Sequence, residues 1–444
     1  MEKIAVIGAG LVGSLGAIYL AKRGFDVSIY ERRPDMRKTT LSAGRSINLA
    51  LSDRGWKALD GVGVSEEIRE IAIPMYGRMM HGLDGQLTFQ AYGKENQAIY
   101  SVSRGELNAK LMSCAEENGV KIEFNKRCLD IDLETNRMEF QDEILGETLL
   151  VSADRVLATD GAFSAVRSKY QLQDRFNYSQ YYIKHGYKEL VIPANLDGTH
   201  KLDKHALHIW PRGEFMLIAL ANLDGSFTCT LFFPFEGENS FESLKTEQQV
   251  LKFFNEVFPD AVPLMPTLVE DYFSNPTSSL ITVKCEPWNY KDKSLLLGDA
   301  AHAIVPFFGQ GMNSGFEDCT VLNEIMNQES DWDVIFNRFS SERKKDGDAI
   351  ADLALQNFLE MRDLVGNKDY LLRKKIEKKI YEKYPNLWIP QYSQVTFSHI
   401  PYSVALSQGK VQEKIMDEIM NINNIHEIWD SELVENNILD LLRE

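Results

Sequence analysis

Ile4-Ala5-Val6-Ile7-Gly8-Ala9-Gly10-Leu11-Val12-Gly13 is the stretch whose reading decides the fold. Its apolar opening reads as a buried strand, and the glycines that follow form G-x-G-x-x-G. Ser14 to Arg23 then reads as a helix closed by Gly24, and Val27 to Tyr30 as a second strand ending at Glu31. Strand, glycine turn, helix, strand and acid in this order have a mechanism. The glycines let backbone N–H groups and a helix N-terminus approach a pyrophosphate, while the acid hydrogen-bonds ribose hydroxyls. Gly8, Gly10, Val12, Gly13, Glu31 and the adjoining Arg32 are therefore cofactor-binding candidates. The pattern leaves open whether the dinucleotide is NAD or FAD. Because Ile4 to Ala21 carries no charge, the segment could pass for a signal peptide or a short span, but Gly8, Gly10, Gly13 and Gly16 interrupt it.

Far downstream, Leu297-Gly298-Asp299-Ala300-Ala301-His302 runs on through Pro306-Phe307-Phe308-Gly309-Gln310-Gly311-Met312-Asn313. An apolar run, Ser294 to Leu297, leads into it, and Asn313 to Asn327 reads as a helix. We read this stretch as a floor for the isoalloxazine ring of FAD. Taken alone, it fits several kinds of FAD enzyme.

Between these two stretches, Met79 to Leu83 and Gln86 to Tyr92 flank Asp84-Gly85, a hairpin signal. Arg78 and Tyr92 lie at its open end, where both could face one cleft; by pattern alone they are ordinary strand-end residues. Ser103-x-x-Glu106 has capping-box spacing and predicts a helix to Glu117, stopped by Asn118-Gly119. Strands are expected at Val120 to Phe124, Cys128 to Leu133, Arg137 to Gln141 and Glu147 to Val151. Arg155 to Gly161 is a strand that ends in Asp160-Gly161, either the edge of a nucleotide site or a plain turn. Tyr187 to Ile192, Ala206 to Pro211, Phe215 to Asn222 and Thr228 to Pro234 predict an inserted antiparallel sheet. Phe241 to Phe258 returns to helix. Further helices are expected over Ser341 to Asp363 and Tyr370 to Tyr384, then a break from Pro385 to Pro401 and a last run from Val411 to Glu444.

The expected fold class is α/β: a discontinuous Rossmann-like FAD-binding domain (1–75, 101–175 and 285–335), an inserted antiparallel β-sheet substrate domain (76–100 and 176–284), and a C-terminal helical region (336–444). A length of 444 residues suits such a division. The net charge of -17 opposes nucleic-acid partners and anionic membrane surfaces, which need clustered Lys and Arg. Cys114, Cys128, Cys229, Cys285 and Cys319 form no C-x-x-C pair, so neither a disulfide framework nor a metal site is expected, and a reducing, cytoplasmic compartment fits best.

Three features together, the G-x-G-x-x-G with Glu31, Asp160-Gly161 and Gly298-Asp299-Ala300-Ala301-His302, resemble the aromatic hydroxylase class of single-component FAD monooxygenases. The type fold of that class is p-hydroxybenzoate hydroxylase. More narrowly, Gly44-Arg45-Ser46-Ile47-Asn48-Leu49-Ala50-Leu51-Ser52 and Pro306 to Asn313 resemble the kynurenine 3-monooxygenase family, with similarity reaching from the first strand to about Ser398.

The resemblance implies a resident FAD and a visiting NADPH, in keeping with the lack of a second G-x-G-x-x-G. It implies that Glu31 holds the adenosine ribose and that Arg104, Asp160 and Asp299 hold FAD. Asn48, Ala50, Gly311, Met312 and Asn313 would lie along the cofactor and its ring. His302 falls in cofactor packing. Arg78 and Tyr92 would bind an amino-acid carboxylate, which an Arg fork can grip with two bonds. Asn357 and Tyr392 would be further polar contacts, and Phe232, Leu220 and Phe307 apolar wall; without the resemblance Asn357 reads as a solvated helix residue and Tyr392 as a loop tyrosine.

The implied reaction is NADPH- and O2-dependent hydroxylation of L-kynurenine to 3-hydroxy-L-kynurenine through a flavin hydroperoxide. The ring's amino group supplies the activation, so positioning residues are expected rather than a catalytic acid or base. Phe308 departs from some relatives, which carry His there. The alternatives are a hydroxylase of the same class acting on another aromatic acid or phenol, and a flavin-binding protein without catalysis. Eukaryotic relatives are membrane-anchored near the C-terminus; this tail lacks the apolar length, so no membrane anchor is expected, and the enzyme would be a monomer or homodimer.

Overall fold

The computed structural model describes residues 1–38, 48–93, 97–361 and 368–443. The Gly44 to Ile47 part of the family block, and Arg362 and Asp363 at the end of an expected helix, lie outside the described residues.

The strand Lys3–Ile7 pairs in parallel with Asp26–Glu31 on one side and Arg155–Ala158 on the other. They belong to a six-stranded sheet completed by Lys121–Phe124 at one edge and by Ser294–Leu296 and Asn289–Tyr290 at the other. Ile4 to Ile7 are all buried, as a strand covered on both faces requires. The crossover helix runs Leu11–Lys22, three residues earlier than its sequence suggests, because Gly10 serves as N-cap in extended backbone. No side chain caps that helix start, so its first amides stay available.

A seven-stranded sheet forms the second layer, in the order 278–286, 177–192, 227–234, 216–221, 206–211, 77–81 and 87–91. It departs from an all-antiparallel sheet at one joint, where Ala206–Pro211 pairs in parallel with Gly77–His81. The chain between those two strands passes through the nucleotide sheet, so no tight turn dictates their relative direction. The strand Asn177–Ile192 has sixteen residues and begins ten residues before the expected start. Its first half pairs only with the edge strand Ser278–Glu286, and their register shifts between Tyr182 and Gly186. A third, small sheet orders Asn48–Leu51, Ile99–Ser103 and Ala72–Met75. The Asn48 amide ties it to the large sheet, donating to Ala221 O at 3.2 Å and Asn222 Oδ1 at 2.7 Å.

A fourth, antiparallel sheet orders Thr148–Ser152, Arg137–Asp142 and Lys126–Asp132, and helices cover the rest. Ser103 caps Arg104–Glu117 by accepting from Glu106 N, as its spacing predicts. The helix Trp332–Leu359 starts nine residues before Ser341, capped by Asp331 and anchored by Trp332 against Phe25. The expected break from Pro385 to Pro401 contains a short helix, Gln391–Thr396. Lys368–Lys383 and Tyr402–Met420 share a separate apolar cluster centred on Ile376, Trp388 and Met416. Among the described residues, no helix is long and apolar enough to cross a membrane.

A buried chain of charges joins these layers. Arg54, with no exposed side-chain surface, pairs with Glu317, and Arg343 reaches Glu317 Oε2 at 2.8 Å and Asp318 Oδ1 at 2.9 Å. Asp318 Oδ2 accepts from Gly298 N at 2.9 Å and lies 2.6 Å from His302 Nε2. Arg54 also covers the Tyr402 ring at 3.9 Å. Helices 53–62, 311–326, 332–359 and 402–420 are thereby fastened together.

Replacing Arg54 by Met should cost about 2–4 kcal/mol, because the largely buried Glu317 would lose one of its two cations and the backbone oxygens of Val395 and Ile400 would lose their donor. Denaturant unfolding measures this, and a loss below roughly 1 kcal/mol, the scale of a surface pair, would contradict it. Burial pushes the Asp318 carboxyl up, but His302 and Arg343 outweigh it and hold it below the usual range. A depressed folded value stabilises the protein above the unfolded pKa of about 3.9, and that contribution disappears as pH falls through the folded value. Asp318→Asn should therefore show a shallower decline of stability with acid than the parent.

Candidate functional site

The layers enclose one large cavity of about 620 Å³. At one end lie Gly8, Gly10 and Val12, where the strand Lys3–Ile7 meets its helix. A Cβ on Gly13 would come 2.1 Å from Gly8 O, so Gly13 exists for close packing of turn against helix. A Cβ on Gly10 would meet nothing within 4 Å and would project into open space. Glu31, also on the wall, is 3% exposed. Its Oε2 accepts from Ala9 N at 2.8 Å, and its Oε1 accepts from Arg33 N at 2.9 Å and Arg33 Nε at 2.8 Å. Burial alone would raise the carboxyl; the bonds from Arg33 and Ala9 outweigh it and keep Glu31 below its ordinary value.

Asp160 lines the same end. Its Oδ2 accepts from Ala165 N at 2.7 Å, whereas Oδ1 is buried without a partner. Burial pushes this carboxyl up. Arg32, Arg33, Lys126 and Arg127 surround the same space. An uncapped helix start, an orphaned carboxyl oxygen and a basic rim form a donor set that fits an anionic dinucleotide.

In the middle, Asn48 and Ala50 face Asp299, Gly311 and Met312, with Arg104 nearby. Gly311 begins the helix Gly311–Met326, and its N-cap Gln310 makes no capping bond, so free amides end at the cavity floor. Asn313 is spent on holding that floor: its Nδ2 donates to Ala50 O and Gly309 O, both at 2.8 Å, and its Oδ1 accepts from Ser52 N at 2.9 Å.

The other end is apolar and aromatic. Phe307 stacks on Phe358 at 4.1 Å and meets Phe232 at 4.8 Å, with Leu220 on the same wall. Phe308, Tyr392 and Tyr92 form a stacked series at 5.4 and 5.5 Å. Arg78 lies 4.7 Å from the Tyr392 ring and 5.6 Å from Tyr92. Arg78 Nε and Tyr92 OH are buried with no partner, and among the described residues no carboxylate stands within ion-pair distance of Arg78. Burial pushes the Tyr92 hydroxyl well up, which keeps it a hydrogen-bond donor.

Of the residues expected at the site, Gly13, Tyr92, Asn313 and Asn357 stand behind the wall rather than on it. Asn357 acts from there by donating to Phe307 O at 2.7 Å. His302 lies off the wall, between Trp288 and Asp318, in keeping with a packing role. Met216, Ile218 and Thr230 line the chamber and were not anticipated. A period of two from Leu220 and Phe232 points to all three. Lys126 and Arg127 had no such signal, because a strand end does not announce what lies beside it.

The FAD binding domain family matches residues 1–352. The fold is that of 2-methyl-3-hydroxypyridine-5-carboxylic acid oxygenase, at TM-score 0.67 and 19% identity over 86% of this chain and 97% of that one. It is likewise that of p-nitrophenol 4-monooxygenase from Pseudomonas putida, at TM-score 0.64 and 18% identity over 95% and 97%. The protein is thus an FAD-dependent monooxygenase of the aromatic hydroxylase class. The kynurenine 3-monooxygenase of Flavobacterium johnsoniae is 55% identical over 100% of this chain and 99% of its own length. That of Dictyostelium discoideum is 46% identical over 98% and 96%. The chain belongs to the kynurenine 3-monooxygenase family.

The glycine geometry separates folding from cofactor binding. Gly10→Val should fold with little change in melting temperature yet bind FAD about tenfold more weakly or worse, roughly 1.4 kcal/mol or more. Gly13→Ala should lose stability even as apoprotein. Flavin absorbance per chain and apoprotein melting distinguish the two, and equal flavin affinity for Gly10→Val and the parent would contradict the assignment.

Proposed function

We propose that this enzyme hydroxylates L-kynurenine at the ring carbon beside its amino group, giving 3-hydroxy-L-kynurenine, and that it acts in the cytoplasm. The observation that carries this reading is Arg78: a guanidinium with a buried, unpartnered Nε, flanked by two tyrosines, beside a chamber whose wall is mainly Phe, Leu, Ile and Met. Such a site suits a substrate with an aromatic body and a carboxylate at one end.

FAD, when bound, supplies electron storage and oxygen activation, with NADPH as the electron source and O2 as the oxygen donor. Glu31, Asp160, Arg104 and Asp299 would hold it, with Gly311 and Met312 beneath its ring. The chain's own work is positioning. Arg78 grips the substrate carboxylate, and Tyr92 and Tyr392 hold the guanidinium and add hydroxyl contacts. Phe307, Phe232 and Leu220 fix the plane of the ring and exclude water from it, while Asn357 keeps Phe307 in place through its carbonyl.

Arg78→Ala should raise the KM for L-kynurenine by about 30-fold or more, the loss of roughly 2–5 kcal/mol that follows removal of one partner from a buried charged pair. More NADPH should be consumed per hydroxylated product, because a loosely held ring leaves oxygen activation uncoupled. Steady-state kinetics with mass analysis of the product checks both effects. Unchanged KM and product yield would show that the carboxylate binds elsewhere.

A further inference from the structure

One residue of the chamber wall and one behind it hold buried polar atoms that the positioning scheme leaves unused. On the central strands of the large sheet Met216, Ile218, Leu220 and Phe232 present apolar side chains to the cavity, and Thr230 stands among them as a polar one. Thr230 is 1% exposed, and its Oγ1 has no hydrogen-bond partner. Directly across the strand pair stands Glu189, so the two side chains share a face with Cβ atoms about 4.5–5.5 Å apart. Glu189 Oε2 is also buried without a partner. Arg104, on the neighbouring helix and on the cavity wall, is the charged group that acts on Glu189. Lys188, next in the chain, turns to the opposite face, where its Nζ donates to Asn275 O at 2.7 Å. Burial pushes the Glu189 carboxyl up to about 7, against the pull of Arg104. A single water between the two orphaned oxygens would satisfy both.

We propose that Glu189, acting through Thr230 and a bridging water, receives the proton that the aromatic ring gives up after oxygen is transferred to it. This rests on the hydroxylation reading above. Once oxygen is attached, that ring carbon is tetrahedral, bearing its hydrogen and the new hydroxyl, and the ring's amino group is an iminium. Aromaticity returns when the C–H bond breaks and its electron pair enters the ring, which restores the iminium to a neutral amino group. One proton leaves carbon as the positive charge on nitrogen is discharged, with no oxidant or reductant consumed. The apolar wall offers no acceptor, and Arg78 is always protonated. The Thr230 hydroxyl takes the proton on a lone pair as it releases its own to the bridging water, the Glu189 carboxylate receives a proton from that water, and Glu189 then gives it up to solvent. Glu189 touches no reacting atom and is therefore a positioning residue for the proton. No base is needed to activate the ring, but a route for its proton is needed to finish the product.

The test compares holoenzymes carrying Glu189→Gln, Thr230→Val or Thr230→Ser, with L-kynurenine deuterated at the ring carbon to be hydroxylated. In the parent, turnover should decline on the acid side near pH 7, as the Glu189 carboxylate is protonated, and deuterium should have little effect. Glu189→Gln and Thr230→Val should lose that acid limb and gain a deuterium isotope effect of about twofold or more on kcat, because proton loss becomes the slow step. Thr230→Ser should restore the parent's isotope effect and limb. If Glu189→Gln keeps the parent's limb and isotope effect, or is merely slower without changing either, the proposal is overturned. Should Glu189→Gln fail to retain flavin, the Thr230→Val and Thr230→Ser pair decides alone. If the parent yields no hydroxylated kynurenine, it is the functional reading that fails.

Discussion

Asp318 is fully buried and all of its acceptor capacity is directed: Gly298 N and His302 on one oxygen, Arg343 on the other. A lone carboxylate in that position would be too costly to keep ionised. The surrounding donors make it tolerable, and in return they can occupy only one arrangement. Gly298 opens the turn that carries Asp299, and Asp318 belongs to the helix whose first residue is Gly311. One buried anion therefore sets the distance between the two backbone segments that form the middle of the cavity. Arg343 and Arg54 extend the constraint through Glu317 to the long helix and to the helix after Ser52. Such networks contribute little net stability against an apolar alternative, and their value lies in fixing geometry.

The cavity follows the opposite rule. Asp160 Oδ1, Arg78 Nε, Tyr92 OH, Thr230 Oγ1 and Glu189 Oε2 are all buried and unpartnered, and all belong to the cavity wall or the residues just behind it. An unmet buried polar group costs roughly 1–3 kcal/mol. These five surround one space, where ligand atoms could complete their hydrogen bonding. Their types also divide the space: acids and basic rim at the glycine end, a cation with phenols at the aromatic end, and a carboxyl–hydroxyl pair between apolar side chains.

How much of this was legible in the sequence depended on whether the cause was local. The turn from Ile7 to Gly13, the cap at Ser103 and the hairpin around Asp84-Gly85 rest on backbone preferences of adjacent residues, and they are found where the sequence puts them. The edge strand Ser278–Glu286 and the outer half of Asn177–Ile192 owe their structure to each other across some hundred residues, so neither carried a self-sufficient signal. The roles of Asn313 and Asn357 were hidden for the same reason. Each amide acts on a backbone carbonyl brought to it by the fold, Ala50 O and Phe307 O respectively. Resemblance marked both residues as part of the site; only the fold reveals that they support it from behind.

Those two amides bear on how one cavity is assembled from parts distant in sequence. The floor belongs to the helix after Gly311, the cofactor end to the strand Lys3–Ile7, and the chamber wall to the inserted sheet. In the proposed hydroxylation, a slide of these layers by even an ångström would cost the ring its alignment with the oxygen donor, and alignment is what a site without an activating acid or base has to supply. Three asparagines cross the boundaries. Asn48 joins the small sheet to Ala221 and Asn222 at the end of the wall strand, Asn313 joins the floor to Ala50, and Asn357 joins the long helix to Phe307. An uncharged amide suits this role, since it can donate and accept at once while leaving the field around the cavity unchanged. Of the charges, Arg54, Arg343, Glu317 and Asp318 lie outside the chamber, and Arg78 and Glu189 stand beside it, a fixed cation and a carboxyl that burial pushes up to about 7, to which the proposed reaction gives different tasks.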